Sequence, residues 1–441
     1  MMRRFFVVCL ILFATTSFAL QLDYQKGKEL VLKNNNLIQA YKAKVKSSEY
    51  RYYQAKGGYL PDINISETYT NTDEPATAAF STMAQGEFDM DYFNNELPDP
   101  GRIENYETKV EVIQPVFMKG KIYFGIKQAS RISDIAELTS ERIQQEVLYN
   151  YTKAFFGLSL AEKALEVTKK SYERTKRYYH LTKNFYENGM VVKSDLMVAK
   201  THLLKNESAI SEAQKQVEVA QSRLQQLLGI DEEINIVWET PSFKTDKSLN
   251  KYLQTASSSR EDLLALDKQL NIAELETKKS KFNFLPEVSL FANYKWNESE
   301  FTNSGAEGAT FGAKVSFNLF NGFTDYNKVR ENKSDYLYTL NMKQDKEREI
   351  KSQVKDAYYS VKAARKKLKA AEKQVEAAYE ALSITLNRFK EGLVKITELL
   401  DREVDVREAE LNMYMAEYEH ITGRAKLLLN SGILNKNSGG R

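Results

Sequence analysis

The chain states its main structural pattern twice. Tyr59-Leu60-Pro61 recurs as Phe284-Leu285-Pro286, and Val112-Ile113-Gln114-Pro115-Val116-Phe117 recurs as Val315-Ser316-Phe317-Asn318-Leu319-Phe320. Tyr186-Glu187-Asn188-Gly189-Met190-Val191, followed by Ser194-Asp195-Leu196-Met197, recurs as Phe389-Lys390-Glu391-Gly392-Leu393-Val394, followed by Thr397-Glu398-Leu399-Leu400. The last two matches share a spacing of about 203 residues, so the segments between them are equally long in both halves. A duplicated unit of two strands and two long helices must bury its faces against copies of itself. The duplication therefore points to a tube built from several chains.

The first residues read as a secretory signal over 1–19. Arg3 and Arg4 supply the positive end, Phe5 to Phe13 the apolar core, and Ser17-Phe18-Ala19 a small-x-small cleavage site. That core is about nine residues, well short of the ~20 that a spanning helix needs. The one cysteine, Cys9, falls inside the signal, so the mature chain is expected to carry no disulfide and no acyl anchor. Net charge is +3, spread along helices, which excludes the one-sided basic excess of a nucleic-acid binder.

All seven prolines lie at or before Pro286, and none falls in 116–240 or 287–441. Proline breaks helices, so the long helices belong in those two stretches. Val147, Tyr151, Ala154, Leu158, Ala161 and Leu165 open a seam that alternates spacings of three and four. Val354, Ala357, Val361, Ala364 and Leu368 open its counterpart. The spacing predicts helices over 121–185 and 324–390, each about 65 residues and so roughly 100 Å long at 1.5 Å per residue. Return helices of half that length follow over 194–228 and 397–429, and further half-length pieces over 23–56 and 249–282.

Strands are signalled by period-two alternation. Val288, Leu290, Ala292, Tyr294 and Trp296 alternate with Glu287, Ser289, Phe291, Asn293 and Lys295, and Phe311, Ala313 and Val315 alternate with Gly312, Lys314 and Ser316. Segments 62–70 and 106–117 form the matching pair. Runs of about ten residues with one apolar face are the mark of an outer-membrane barrel strand. Tyr69, Tyr106, Tyr294 and Trp296 sit where an aromatic girdle is expected. Single-chain barrels start at about eight strands, and an open sheet edge is not tolerated in lipid. Four strands per chain therefore imply a barrel shared between copies, and a pore favours three copies over two. The loop over 72–105 is long and acidic, as suits the outer side. The resulting organisation is a signal peptide (1–19), a first repeat (20–229), a mixed equatorial segment (230–250), a second repeat (251–430) and a C-terminal tail (431–441).

These residues resemble the TolC-like outer-membrane efflux proteins over nearly the whole mature chain. The aromatic-Leu-Pro lead-in to a strand, the Gln-Pro-Val-Phe run into a helix and the Gly-x-Val-x-x-Ser/Thr-Asp/Glu-Leu turn carry the likeness. The resemblance implies a mainly α fold with a membrane β-barrel, a duplicated β-β-α-α repeat. It implies a homotrimer whose 12-stranded barrel continues into a long periplasmic α-helical barrel. It further implies docking to a periplasmic adaptor (membrane fusion) protein and an inner-membrane transporter.

Gly189 and Gly392 stop the long helices at the far tip, since glycine readily adopts the left-handed conformation. Ser194 and Thr397 are expected to cap the returning helices, with Asp195 and Glu398 at their positive ends. Met190, Val191, Leu393 and Val394 place apolar side chains at the turns, which suits a partner's grip. These residues, with Gly189, Gly392, Ser194, Asp195 and Thr397, form the expected adaptor-contacting tips. Glu398 and Asp401 share a helix face. Matched to the family's second tip, they fall where acids line the periplasmic entrance, and threefold symmetry would make them cation-favouring rings. Relatives close this entrance with a tyrosine and an arginine; here Phe389 and Val394 stand there, so the closing contact must differ.

No nucleophile-base pair, phosphate loop or Cys/His metal spacing is present, so no catalysis, metal or cofactor is expected. His180 and His202 flank one tip and lack a third ligand. The reading is a trimeric exit duct of a tripartite efflux or type I secretion system that conducts passively. The alternative is a structural coiled-coil protein bridging the periplasm.

Overall fold

The computed structural model describes residues 20–96, 100–238, 241, 243–300 and 305–437. The signal assignment (1–19) lies outside these residues, as does 438–441 of the expected tail. The helices are α1 (Tyr24–Asn34), α2 (Asn36–Gly57), α3 (Pro75–Gln85), α4 (Lys121–Glu187), α5 (Lys193–Leu228), α6 (Leu249–Ser259), α7 (Glu261–Lys281), α8 (Thr324–Lys390), α9 (Ile396–Asn430) and α10 (Leu434–Asn437). The strands are β1 (Leu20–Leu22), β2 (Asp62–Thr72), β3 (Ile103–Met118), β4 (Ile234–Ile236), β5 (Glu287–Glu298) and β6 (Ala306–Ser316). The duplicated long helices are each 67 residues, within two residues of the sequence expectation at either end. No described helix is long and apolar enough to cross a membrane.

The chain divides into two compact units, with the borders inside helices. One holds the sheet, from 44–137 and 265–344. The other holds the described parts of 1–43, 138–264 and 345–441.

In the sheet unit, four antiparallel strands lie in the order β2-β3-β5-β6. The hairpins of the two repeats share one register. Asp62 stands opposite Ile113 and Glu287 opposite Ser316, so shifts of 225 and 203 residues carry the first hairpin onto the second. Residues directly opposite on neighbouring strands share a face. One face carries Ile63, Val112, Ala292 and Phe311 in one row, and Ile65, Val110, Tyr294 and Ala309 in the next. The other carries Asn64, Glu111, Asn293 and Thr310, then Ser66, Lys109, Lys295 and Gly308. The polar face is knitted by ion pairs, Lys109 to Glu111 at 2.6 Å and Lys295 to Glu107 at 2.7 Å. The apolar face is bare: Ile65 is 75% exposed and Phe311 87%. A soluble sheet would hide that face and show the other; this one is turned inside out, as lipid requires. The Tyr69 and Tyr106 rings meet across strands at 5.0 Å, tilted by 40°, and Tyr294 meets Trp296 at 4.5 Å.

The long acidic loop contains a helix that the sequence reading missed. Pro75 starts α3 and Gly86, with φ of 77°, ends it. Ala78, Ser81, Thr82 and Gln85 are buried, a helical stripe of small and amide side chains too weakly apolar to register as a core face. Gln85 donates to the Asn105 side chain at 3.0 Å, and Asn105 donates to Asn297 at 3.1 Å, which fixes α3 to β3 and β5. Its outer side presents Phe80, 72% exposed.

The second unit is built around stacked aromatics. Tyr24 packs on Tyr151 at 5.3 Å and on Phe156 at 5.6 Å. The Tyr151 hydroxyl donates to the Tyr24 carbonyl at 2.9 Å, and the Tyr24 and Thr152 hydroxyls bond at 2.8 Å. Burial pushes the Tyr24 phenol up to about 12. Gly27 makes this packing possible, because a Cβ there would lie 2.1 Å from the Tyr151 oxygen. The equatorial segment contributes β4, which pairs in parallel with β1. Each half-length helix expected before the strands is broken once, at Asn35 and at Arg260, both extended. The Asn35 side chain accepts from the Leu37 and Ile38 amides and so starts α2.

The segment assigned to a tail at 431–441 begins inside this core. Ser431, Gly432, Ile433 and Leu434 are buried. Gly432, with φ of 69°, turns the chain so closely over α6 that a Cβ would stand 2.9 Å from the Arg260 Cα. Arg260, 2% exposed, donates to Asp262, to the Gln353 side chain at 2.8 Å and to the Asn430 carbonyl at 3.3 Å.

Candidate functional site

The two tips are made by the same backbone motif. In the first, Gly189 has φ of 72°, its amide donates to the Tyr186 carbonyl at 3.0 Å, and the Met190 amide donates to Phe185 at 2.8 Å. In the second, Gly392 has φ of 75°, its amide donates to Phe389 at 3.0 Å, and Leu393 donates to Arg388 at 2.9 Å. These paired bonds satisfy the last carbonyls of α4 and α8.

The expected caps are displaced. Val192 and Lys395 occupy the cap positions, with no side-chain capping bond. Ser194 and Thr397 lie inside the first turn and are exposed. The cause is a shorter turn: the helix begins at the carbonyls of Val192 and Lys395, which accept from the Asp195 and Glu398 amides at 3.0 and 3.2 Å. Asp195 and Glu398 remain in the first turn, where the helix dipole favours a carboxylate.

Between the tips lies a groove of about 300 Å³ lined by Phe185, Met190, Val192, Phe389, Leu393 and Val394, among others. Phe389 is 2% exposed and meets Phe185 at 5.6 Å, joining the ends of α4 and α8 through rings. Val394 packs on the same cluster, with Ile396, Leu399 and Leu400 beneath. Within this chain, Phe389 and Val394 thus make an apolar contact. Met190 (60%), Val192 (62%) and Leu393 (64%) stay exposed, whereas Val191 is half-buried.

Glu398 and Asp401 are both exposed, on the side of α9 opposite buried Leu399 and Leu400. Asp401 acts electrostatically on His202 of α5. Burial and Lys205 hold that imidazole below its ordinary value, and Asp401 opposes them. His180 instead leans on Tyr179. Among the described residues, no group of three or more His, Cys, Asp or Glu side chains could hold a metal ion.

A buried polar network behind the tips was not foreseen. Arg174 of α4 donates to both carboxylate oxygens of Glu403 at 2.9 and 2.8 Å and lies 3.5 Å from Glu410, both on α9. Tyr379 of α8 donates to Glu410 at 2.8 Å. Arg407 donates to Asn206 of α5 at 2.8 Å, and Asn206 donates to Thr175 at 2.8 Å. All four helices are thereby tied at one level. The Glu403 side chain is 2% exposed and that of Arg174 is 12% exposed. Burial pushes the Glu403 carboxyl up, Arg174 pulls it back, and Glu410 adds to the upward push. The signal was present in the sequence: Glu403 and Glu410 continue the three-four seam of Ile396, Leu399 and Leu400, where acids are out of place.

The sequence matches the outer membrane efflux protein family over residues 28–230 and 252–432, and the chain belongs to that family. Among solved structures the fold is similar to CusC, with a TM-score of 0.81 at 15% identity over 95% of this chain and 94% of that one. It is similar to VceC of Vibrio cholerae, at 0.76 and 17% identity over 93% and 96% of the two chains. It is also similar to MtrE of Neisseria gonorrhoeae, at 0.76 and 15% identity over 95% and 91%. None of the curated proteins compared with the chain matches it significantly. The protein is therefore an outer membrane efflux protein.

Proposed function

We propose that three copies of the chain form a passive exit duct of a tripartite efflux or type I secretion system. Cargo would be delivered by an inner-membrane transporter through a periplasmic adaptor, and the duct itself would perform no chemistry. The observation that carries this reading is the sheet: its apolar face is bare, its charged face is knitted, and each outer strand has one unpaired edge among the described residues. Lipid against the first face and water against the second would satisfy both, once further copies complete the ring. A structural periplasmic rod has no use for such a sheet. CmeC of Campylobacter jejuni and MtrE are outer-membrane channels of similar fold, which supports the duct.

In this reading the exposed Met190, Val192 and Leu393, with Gly189, Val191, Ser194, Asp195, Gly392, Val394 and Thr397, receive the adaptor. Glu398 and Asp401 line the entrance as threefold rings. Recording of single channels in a planar bilayer tests both parts. The wild type should conduct with a preference for cations. Glu398→Gln with Asp401→Asn should weaken that preference. Silence from correctly folded protein would refute the duct, and unchanged selectivity would remove the two acids from the entrance.

A further inference from the structure

The internal repeat contains a template for the seam between copies. Within one chain, β3 of the first repeat pairs with β5 of the second, with Val110 opposite Tyr294 and Lys109 opposite Lys295. This junction has a bulge between Pro115 and Phe117, after which Phe117 stands opposite Val288 and Met118 opposite Glu287. The hairpins on either side of it superpose in register by the shifts of 225 and 203 residues. Applied to the junction itself, those shifts turn β3 into β6 and β5 into β2. In one chain β6 and β2 are the two outer strands, so the pairing they describe can be made only with another copy.

We infer that β6 of one copy pairs antiparallel with β2 of the next in one specific register, Ser316 opposite Ser66. This rests on the trimeric reading above and adds to it the alignment of the seam. Carried over from Val110 and Tyr294, Ala313 stands opposite Tyr69. Lys314 then faces Thr68, Phe317 faces Ile65, and Phe320 faces Ile63 beyond a bulge at Leu319.

Three features of the chain fit this register. The faces agree: Lys314, Ser316 and Asn318 meet Thr68, Ser66 and Asn64 on the polar side. The bare apolar side chains find one another: Phe317 (53% exposed) meets Ile65 (75%), and Phe320 (71%) meets Ile63 (62%). The stretch 317–321 also acquires a role. It is unpaired and strongly apolar here, with Leu319 85% exposed, whereas its counterpart 114–118 in the first repeat is laddered against β5. A one-residue slip would put Phe317 on the charged side, so only slips of two residues compete.

The experiment is disulfide trapping of the mature protein, whose only native cysteine, Cys9, would leave with the signal. Ser316→Cys is combined in turn with Asn64→Cys, Ser66→Cys and Thr68→Cys. Each pair is oxidised in outer membranes and read as covalent dimers and trimers on denaturing gels. Directly opposite residues have Cα atoms about 4.5–5.5 Å apart. A two-residue slip adds nearly 7 Å along the strand and takes the pair to about 8 Å, outside disulfide reach. Ser316→Cys with Ser66→Cys should give the covalent ladder, and the flanking pairs little of it. Lys314→Cys with Thr68→Cys should repeat the result on an independent pair of positions. A stronger ladder from Asn64→Cys or Thr68→Cys with Ser316→Cys would overturn the register but leave the shared sheet standing. No intermolecular product from any pair, in protein that is protease-resistant and membrane-inserted, would overturn the shared sheet as well.

Discussion

Removing the Arg174 guanidinium should loosen the hairpins behind the tips far more than its single position suggests. Arg174 is ion-paired with two buried carboxylates, Glu403 and Glu410. Arg174→Met keeps much of the stem and deletes the charge, leaving Glu403, 2% exposed, as an uncompensated anion. Breaking one side of a buried pair costs about 3–5 kcal/mol. At 1.4 kcal/mol per tenfold, a 3–4 kcal/mol loss means roughly 100- to 1000-fold faster amide exchange wherever exchange needs this level to open. The assay is native-state hydrogen exchange over 399–410 of α9, with 421–430 as internal reference. The sign of the pH response is fixed. Glu403 has a folded-state pKa above its unfolded value, so the folded state binds the extra proton, and stability falls as pH rises from the ordinary glutamate value through the raised one. The defect of Arg174→Met should therefore be largest at neutral pH and shrink on acidification. Replacing the whole cluster (Arg174→Met, Glu403→Leu, Glu410→Leu) should recover most of the loss, since apolar isosteres of buried ion clusters are commonly neutral or stabilising. Unchanged exchange in Arg174→Met would refute the argument. A triple variant as loose as the single would show that packing, not charge, holds this level.

Gly27→Ala should destabilise the aromatic core by about 1–3 kcal/mol, since the new methyl overlaps the Tyr151 hydroxyl; Tyr151→Phe in the same chain should return part of it, as read by thermal melting. Gly189→Ala and Gly392→Ala meet open space, so each should cost only the left-handed strain of about 1–2 kcal/mol, seen as local fraying of its own tip by exchange. Gly312→Ala should disturb the sheet, because its Cβ would stand 2.8 Å from the Phe291 ring; the check is protease resistance of the assembled protein. Truncation before Ser431 should lower the melting temperature by removing Ile433 and Leu434 from the core.

The repeat, the helix ends and the strand positions were legible in the sequence because each rests on a local cause: proline exclusion, heptad spacing, period-two alternation and a glycine at each tip. The site residues were partly legible for the same reason. Glu398 and Asp401 are exposed on one helix face because Leu399 and Leu400 beside them are buried, a pattern that local spacing dictates.

Other features depended on what faces what. That Phe389 meets Phe185 is a matter of two turns, 203 residues apart in the repeat, arriving side by side. Arg174, Glu403 and Glu410 look like solvated helix charges until α4 and α9 are laid together. The burial of Ser431 to Leu434 depends on a glycine that lets the chain approach Arg260, and α3 is held by amides on two strands distant in sequence. The sequence by itself determined a duplicated chain of strands and long helices with an inverted, lipid-suited strand pattern. Periodicity and breakers act within a few residues. Only the tertiary structure decided which charges were buried and which residues held the tips, because burial and pairing belong to surfaces brought together from different parts of the chain.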